Sequence, residues 1–371
     1  MPASYTDLNP SPRLLLGPGP SMVHPRVLRA MSTPLLGYTD PEFWKLMDET
    51  QELLRYAFQT QNPLTLPVSG TGMAGMETVL ANLLEPGEAL LVCAAGFFGN
   101  RLEEVALRHG VLVTKIEKAW GEVFSLAEVE KALRQSGARV VAIVHAETST
   151  GALQPMEGLA EMIHGQGALL VMDCVTSLSG VPVKVDEWGV DGAYSGTQKC
   201  LGCPPGLAPV SLSERARAKM RSRQRPVEPW YFDLEMLYKY WSGERTYHHT
   251  VSGTLVYGLR EGLRLTAEEG LEARWARHQA NAEYLWQGLA DLDLVPLVPP
   301  SHRLPTLTTV CVPAGVDEAQ VRTRLRDEYN IEIGAGFGPL KGKVWRVGLM
   351  GYSARRENVT LLLGALREIL K

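Results

Sequence analysis

Short apolar runs alternate with amphipathic stretches from about residue 22 to about residue 265. The runs have the length of β-strands, and the stretches between them place apolar residues at helical spacing. Runs that are apolar throughout are typical of strands buried on both faces, as in a mainly parallel sheet covered by helices. The pattern predicts strands at residues 90–93, 111–113, 140–144 and 168–172, and helices at residues 126–135 and 156–165.

The pattern changes at both ends of the chain. Residues 1–21 are rich in Pro, Ser and Gly and predict an extended arm. After a long helix at residues 271–289, the pattern predicts a smaller unit, with strands at residues 307–312 and 344–349 and helices at residues 317–328 and 354–370. We therefore expect an α/β fold divided into an N-terminal arm (1–21), a large domain (22–268) and a small C-terminal α/β domain (269–371).

The length of the chain indicates a globular protein with two domains. The 371 residues exceed the size at which one hydrophobic core stops growing. A formal net charge of −4 argues against a nucleic-acid binder, so the expected partners are small molecules and other copies of the chain. No apolar stretch approaches the roughly 20 residues that span a bilayer. Because the N-terminus also lacks the charged start and apolar core of a signal peptide, we expect a cytoplasmic protein without a membrane partner.

The five cysteines are scattered along the chain, as a reducing compartment permits. Cys200 and Cys203 form a CxxC pair, which suggests metal or redox chemistry. A structural zinc site needs about four ligands, however, and no second pair follows at a suitable spacing. We therefore expect no metal site.

Lys199 ends the segment YSGTQK and is followed by the Gly- and Pro-containing segment CLGCPPG. Since lysine prefers a solvated face, a surface lysine and a chemically reactive lysine are equally good interpretations of this segment alone. The reactive interpretation requires a rigidly held and partly desolvated amine, whose lowered pKa lets it form a Schiff base with a carbonyl.

Asp173 ends the apolar run LLVMD, some 26 residues before Lys199. A carboxylate at the C-terminal end of a parallel strand lies where open α/β sheets bind ligands. In enzymes that use pyridoxal phosphate (PLP), such a carboxylate pairs with the ring nitrogen. The alternative is an aspartate that caps the following turn. Strand-end Asp followed by Lys at this separation favours the PLP interpretation.

The segment PVSGTGMAGME leads into a helix and contains Gly and hydroxyl residues that can cradle a phosphate. Gly70, Gly72 and Gly75 also match the dinucleotide-binding pattern GxGxxG. That pattern requires an acidic residue at the end of the next strand, about 20 residues further on. The next strand ends in VCAAGF, without a carboxylate, so a monophosphate cup is favoured.

Taken together, these segments resemble the class V aminotransferases of PLP fold type I, and most closely the alanine–glyoxylate/serine–pyruvate aminotransferase group. The resemblance extends from LGPGP at residues 16–20 to RENV at residues 356–359. Its most specific stretches are QNPLTL (61–66), HAETSTG (145–151), DCVTS (173–177), SGTQK (195–199) and YHHT (247–250).

The resemblance implies a role for each matching residue. Lys199 would carry PLP as a Schiff base and later move a proton, and Asp173 would pair with the ring nitrogen. Arg346 would bind the substrate carboxylate, near Gly19. Other cofactor contacts are implied for Val175 and Phe98 on the two ring faces, Thr148 at the ring hydroxyl, Thr71, Gly72, Met73 and Gln198 at the phosphate, and Tyr247 and Thr250 reaching that phosphate from the neighbouring subunit of a homodimer.

Arg346 also stands out without the resemblance, because it interrupts the apolar run VWRVG. A charge in such a run is costly unless paired, so the alternatives are a buried salt bridge and a hook for a carboxylate. The fork shape of guanidinium favours the hook. His248 and His249 resemble metal ligands, but neighbours on an extended segment point to opposite faces. We therefore expect them to position Tyr247 and Thr250.

The predicted activity is ping-pong transfer of an amino group from alanine or serine to glyoxylate or pyruvate. Alternatives are another class V activity, such as 2-aminoethylphosphonate transamination, and a PLP-fold subunit without catalysis. Cysteine desulfuration is disfavoured because Gln198 stands where a histidine is usual and Cys311 lies in a predicted strand. Two positions depart from the family pattern. At Met73 only the backbone N–H is implied as a phosphate contact, and the Gly37-Tyr38-Thr39 segment leaves the exact donor open.

Overall fold

The computed structural model describes residues 5–371, and it has the predicted alternation of strands and helices. Its strands are β1 (Leu14–Leu15), β2 (Leu64–Ser69), β3 (Ala89–Ala94), β4 (Leu112–Glu117), β5 (Val140–Val144), β6 (Ala146–Glu147), β7 (Ala152–Leu153), β8 (Leu169–Asp173), β9 (Gly192–Tyr194), β10 (Leu207–Leu212), β11 (Leu307–Cys311), β12 (Ile331–Glu332), β13 (Gly334–Ala335) and β14 (Val344–Gly348).

Four of the five helices with predicted bounds form within two residues of those bounds, and the helix predicted at residues 156–165 begins at Leu159; the bounds of the other helices were not predicted. The helices of residues 5–371 are α1 (Pro25–Met31), α2 (Pro41–Phe58), α3 (Gly72–Leu83), α4 (Phe97–Arg108), α5 (Leu126–Ser136), α6 (Leu159–Gly165), α7 (Val185–Trp188), α8 (Glu214–Arg221), α9 (Leu234–Trp241), α10 (Gly253–Glu269), α11 (Leu271–Ala290), α12 (Glu318–Tyr329) and α13 (Arg356–Ile369). None of them is both long and apolar enough to cross a membrane.

Seven strands form the central sheet, in the order β2-β10-β9-β8-β5-β3-β4. β10 runs opposite to the other six strands of this sheet, so the prediction of a mainly parallel sheet is confirmed. Every residue of β5 and β8 is buried. Both faces of the sheet's centre are therefore covered, which is why these strands are apolar throughout.

The register of the sheet brings two predicted segments side by side. Asp173, the last residue of β8, lies between Val144 of β5 and Tyr194 of β9. These strands are parallel, so their carboxyl ends meet at one edge, where open α/β sheets bind ligands. The turn that carries Lys199 follows directly after Tyr194.

The C-terminal part has its own antiparallel sheet, β11-β14-β13, and a second hydrophobic core, to which α11, α12 and α13 contribute. Asp317 caps α12: its side chain accepts hydrogen bonds from the backbone N–H groups of Ala319 and Gln320. The N-terminal arm joins this part, because β1 pairs in parallel with β12 and Leu16 is buried in the second core. The proposed domain boundaries stay a prediction, and residues 1–4 of the arm lie outside the described residues.

Candidate active site

Lys199 is buried, with 8% of its surface exposed, in the connection from β9 to β10. Its amine donates a hydrogen bond to the backbone carbonyl of Pro18. Burial, together with the nearby positive charge of Arg346, lowers the pKa of the amine to about 8. Such an amine is partly uncharged near neutral pH and can attack a carbonyl carbon. The surface-lysine interpretation is wrong.

The N-terminal segment closes over this lysine. A Cβ atom added at Gly19 would lie 2.8 Å from Lys199 Nζ, and Gly19 has a φ of +117°, which L side chains rarely adopt. Ser21 fixes the segment to the lysine turn: its Oγ donates to the Lys199 carbonyl (2.7 Å) and its N–H donates to the Gln198 carbonyl (2.9 Å). Gly19 therefore lies against the amine itself.

Asp173 is also buried, at 3% exposure. Its Oδ1 accepts a hydrogen bond from the Val175 N–H (2.9 Å) and its Oδ2 accepts one from the Tyr194 hydroxyl (2.8 Å). Burial raises the pKa of the carboxyl to about 7, although both hydrogen bonds act in the opposite direction. The bond from Val175 is the turn cap that the sequence also allowed. Capping and pairing with a ring nitrogen are compatible, because the carboxylate stands at the ligand-binding edge of the sheet.

The predicted phosphate cup lies at the N-terminus of α3. Thr71 is the N-cap residue, and no side chain caps this helix. The first N–H groups of a helix, here those of Gly72 and Met73, lack partners within it and attract anions. A Cβ atom at Gly72 would lie 3.1 Å from Val175 Cγ2, so the cup adjoins the turn after Asp173.

These residues fit the PLP that the resemblance implies. Lys199 offers an amine to the aldehyde, Asp173 a carboxyl to the ring nitrogen, and α3 its N–H groups to the phosphate. Gln198 Oε1 is buried without a hydrogen-bond partner. Because amide oxygen and nitrogen are distinguished only by their partners, a half-turn of this group would present an N–H donor suited to a phosphate oxygen.

Phe98 lies in the first turn of α4, half-buried against the core. A buried carboxylate, Glu147, holds this turn: it accepts the N–H groups of Phe98 (3.2 Å) and Gly99 (3.3 Å), and the N–H and hydroxyl of Ser149 (3.0 and 2.6 Å). Negative charge is favourable at a helix N-terminus. Burial nevertheless raises the pKa of Glu147.

Arg346 is buried in β14, at 3% exposure. Its Nε donates to the carbonyl of Ala335 (2.6 Å) and its Nη1 to the carbonyl of Thr148 (3.2 Å). Its guanidinium carbon lies 4.0 Å from the centre of the Phe337 ring. Burial lowers its pKa to about 10, and the charge of Glu147 acts in the opposite direction.

No carboxylate of residues 5–371 lies within 4.0 Å of the Arg346 guanidinium, so the buried salt bridge that the sequence allowed is not formed. Arg346 therefore presents an uncompensated charge that can bind a carboxylate. Aromatic rings connect Arg346 to Phe98, a predicted cofactor contact. The ring centres of Phe337 and Phe97 lie 5.0 Å apart, and those of Phe97 and Phe98 lie 5.4 Å apart. Thr148 joins the same region, since its Oγ1 is hydrogen-bonded to Thr176 Oγ1.

Tyr247 and Thr250 stand at the surface of the chain. Both are exposed, with their hydroxyls 3.1 Å apart, and within residues 5–371 no hydrogen bond joins them to the other predicted residues. His248 and His249 are buried, with their Nδ1 atoms 2.9 Å apart. The expectation that they point to opposite faces is wrong, because the segment is irregular rather than a pleated strand. His249 anchors it near the cup through Ser69 Oγ (2.7 Å).

The CxxC pair begins directly after Lys199. Cys200 and Cys203 are both buried and free. Within residues 5–371, no group of three or more His, Cys, Asp or Glu side chains could hold a metal ion.

Several contacts of the site escaped the sequence analysis. Tyr194 and Glu147 lie in segments that were singled out for other residues. Their one sequence signal was that each is a polar residue close to the end of an apolar run. Pro18 approaches Lys199 from a distant part of the chain, 181 residues away, which local pattern does not encode.

Known proteins resemble the chain over nearly its whole length. The crystal structure of an alanine–glyoxylate aminotransferase from Nostoc sp. has a TM-score of 0.98 and 54% identity, and the match covers 100% of this chain and 98% of that one. The chain is 45% identical to the alanine–glyoxylate aminotransferase of Rattus norvegicus, over 97% of this chain and 88% of that protein. It is 43% identical to the (S)-ureidoglycine–glyoxylate transaminase of Bacillus subtilis, over 96% and 90%.

A model of the family "Aminotransferase class-V" matches residues 14–359. The resemblance noted from the sequence is thereby confirmed, and the alternatives to it are not favoured. The chain belongs to the class V aminotransferases: it is a PLP-dependent enzyme of fold type I.

Proposed function

We propose that the enzyme transfers an amino group from a small amino acid, alanine or serine, to a small 2-oxo acid, glyoxylate or pyruvate, in a ping-pong reaction. The observation that carries the proposal is the buried Arg346, whose uncompensated charge lies beside Thr148 and lowers the pKa of Lys199. A single carboxylate hook suits substrates with one carboxylate. The three relatives described above support glyoxylate, which all of their names contain.

When bound, PLP supplies an electron-withdrawing ring that stabilises negative charge at the α-carbon of the amino acid. Asp173 would hold a proton at the ring nitrogen. The N–H groups of Gly72 and Met73, with Thr71 and Gln198, would bind the phosphate. Phe98 and Val175 would pack against the two ring faces, and Thr148 would bind near the ring hydroxyl.

Lys199 would first hold the cofactor and then, once the substrate displaces it, serve as the base. The pKa of its amine, about 8, lets it take a proton from the α-carbon and return it near neutral pH. Arg346 would orient the substrate through its carboxylate. The backbone at Gly19 lies so close to the amine that it favours a small substrate side chain.

The proposal includes a homodimer in which Tyr247 and Thr250 complete the phosphate site of the partner. An exposed aromatic surface supports the dimer. At least 39% of the surface is exposed for each of Tyr38, Trp230, Tyr231 and Tyr247. The ring centres of Tyr38 and Tyr247 lie 4.9 Å apart. Clustered exposed aromatic residues are typical of an interface. The cytoplasm stays the predicted location.

A panel of half-reactions tests the substrate assignment. The purified enzyme is loaded with PLP and mixed with one amino donor at a time, while the cofactor absorbance is followed. The donors are L-alanine, L-serine, L-aspartate, (S)-ureidoglycine and 2-aminoethylphosphonate. We expect alanine or serine to convert the cofactor and glyoxylate to restore it. Conversion by 2-aminoethylphosphonate or aspartate alone would overturn the assignment.

A further inference from the structure

The hydroxyl of Tyr194 is directed at the Asp173 carboxylate. Tyr194 ends β9 directly opposite Asp173 in the parallel register, and its side chain is fully buried. Its hydroxyl donates a hydrogen bond of 2.8 Å to Asp173 Oδ2. Within residues 5–371, it is the only side chain that donates to this carboxylate, whose other partner is the backbone N–H of Val175.

We propose that Tyr194 is a positioning residue of the reaction: its hydroxyl holds the Asp173 carboxylate in one orientation and in its charged form, so that this carboxylate keeps a proton on the ring nitrogen of the cofactor. The inference rests on the proposed role of Asp173. It adds a residue that acts on the cofactor through another side chain.

Packing alone does not explain a tyrosine at this position. Tyr194 packs closely against α3, where a Cβ atom at Gly75 would lie 3.2 Å from Tyr194 Cβ. A phenylalanine would fill the same space without burying a hydroxyl, and a buried hydroxyl is costly unless it is hydrogen-bonded. Because Tyr194 lies directly opposite Asp173 in the register, its hydroxyl reaches the carboxylate of the neighbouring strand.

The charges around Asp173 give this hydrogen bond its effect. Burial and the negative charge of Glu147 raise the pKa of Asp173, whereas Val175, Tyr194 and the positive charge of Lys199 lower it. The nearby His145 stays neutral, since burial lowers its pKa to about 3. Burial and Asp173 together raise the pKa of Tyr194 well above its usual value, so its hydroxyl remains a donor.

Replacing Tyr194 with phenylalanine removes the hydroxyl and keeps the ring. The pKa of Asp173 should then rise further, and the shared proton should move from the ring nitrogen to the carboxyl group. Nitrogen-15 NMR of enzyme loaded with ring-labelled PLP measures this directly. We expect the resonance to shift toward that of unprotonated pyridine, and the alanine half-reaction to slow about ten- to a hundredfold, the loss typical of a hydrogen bond to a charged group.

Tyr257→Phe is the matched control. Tyr257 is likewise buried, and its hydroxyl accepts a hydrogen bond from the Leu36 N–H (2.8 Å), away from Asp173. We expect this variant to keep the wild-type nitrogen-15 resonance. An unchanged resonance in Tyr194→Phe would overturn the inference, as would equal shifts in both variants.

Two further variants keep the test decisive. Asp173→Asn distinguishes a failure of the proposed function from a failure of the present inference. If this variant retains ring protonation and rate, the proposed role of Asp173 is wrong. If it loses both while Tyr194→Phe loses neither, only the present inference is wrong. If Tyr194→Phe does not fold, 3-fluorotyrosine at position 194 keeps the shape and makes the hydroxyl a stronger donor. The ring nitrogen should then stay protonated to a higher pH than in the wild-type enzyme, and an unchanged pH dependence of the resonance would contradict the inference.

Discussion

The Lys199 amine and the Pro18 carbonyl, which are 181 residues apart in the chain, are joined by a hydrogen bond. The N-terminal segment is therefore part of the wall around the reactive amine. The same segment continues into the second core through Leu16 and contacts the lysine turn through Ser21. This arrangement makes the amine buried, and burial is the main cause of its lowered pKa.

The rate of covalent PLP capture by the apoprotein should follow the uncharged fraction of Lys199. With a pKa of about 8, that fraction rises about tenfold between pH 7 and pH 9 and then levels off. Stopped-flow absorbance measures the capture rate at each pH. A rate that keeps rising steeply above pH 9, as for an ordinary lysine, would contradict the lowered pKa.

Gly19→Ala should disturb Lys199 directly, because the new Cβ atom would lie 2.8 Å from its amine. We expect cofactor capture to slow about five- to 150-fold, since strain of this kind costs on the order of 1–3 kcal/mol. Gly315→Ala is the control: its φ is also positive, at +81°, but nothing lies within 4 Å of the added atom. Equal capture rates in the two variants would show that Gly19 does not act through Lys199.

The central sheet could be predicted from the sequence, whereas the walls of the site could not. β5 and β8 are buried on both faces and hence apolar throughout, and α11 repeats its apolar positions at helical spacing. Asp173 ends β8, and Thr71 and Lys199 follow closely after the strands β2 and β9. The contacts Pro18–Lys199 and Tyr194–Asp173 depend on tertiary packing, and β1 is only two residues long, too short for a periodic signal.

Arg346→Ala should weaken the binding of every substrate that has a carboxylate and leave the cofactor absorbance unchanged. Loss of one partner of a buried charge pair costs about 2–5 kcal/mol, so kcat/KM for alanine and for glyoxylate should fall about 30-fold or more. Arg356→Ala serves as the control, because Arg356 also lies over an aromatic ring, 3.9 Å from the centre of Tyr284, but outside the site. Steady-state kinetics with both variants make the comparison. Loss of PLP binding in Arg346→Ala would show that the residue serves the cofactor instead.

Mixed dimers test whether Tyr247 acts in the partner's site. Lys199→Ala chains and Tyr247→Ala chains are each expected to be poorly active alone. After unfolding and refolding together, half of the dimers are mixed, and each mixed dimer has one site with both native residues if Tyr247 acts across the interface. About a quarter of wild-type activity should then return. No gain over the separate variants would contradict sharing.

The central claim is that Lys199 carries the cofactor, and reduction with borohydride tests it most directly. The loaded enzyme is reduced, digested and mapped by mass spectrometry, with L-alanine-treated enzyme as the comparison. We predict one phosphopyridoxyl group, attached to Lys199, and its absence after treatment with L-alanine. Attachment at another lysine, or no attachment in enzyme that has bound PLP, would contradict the account.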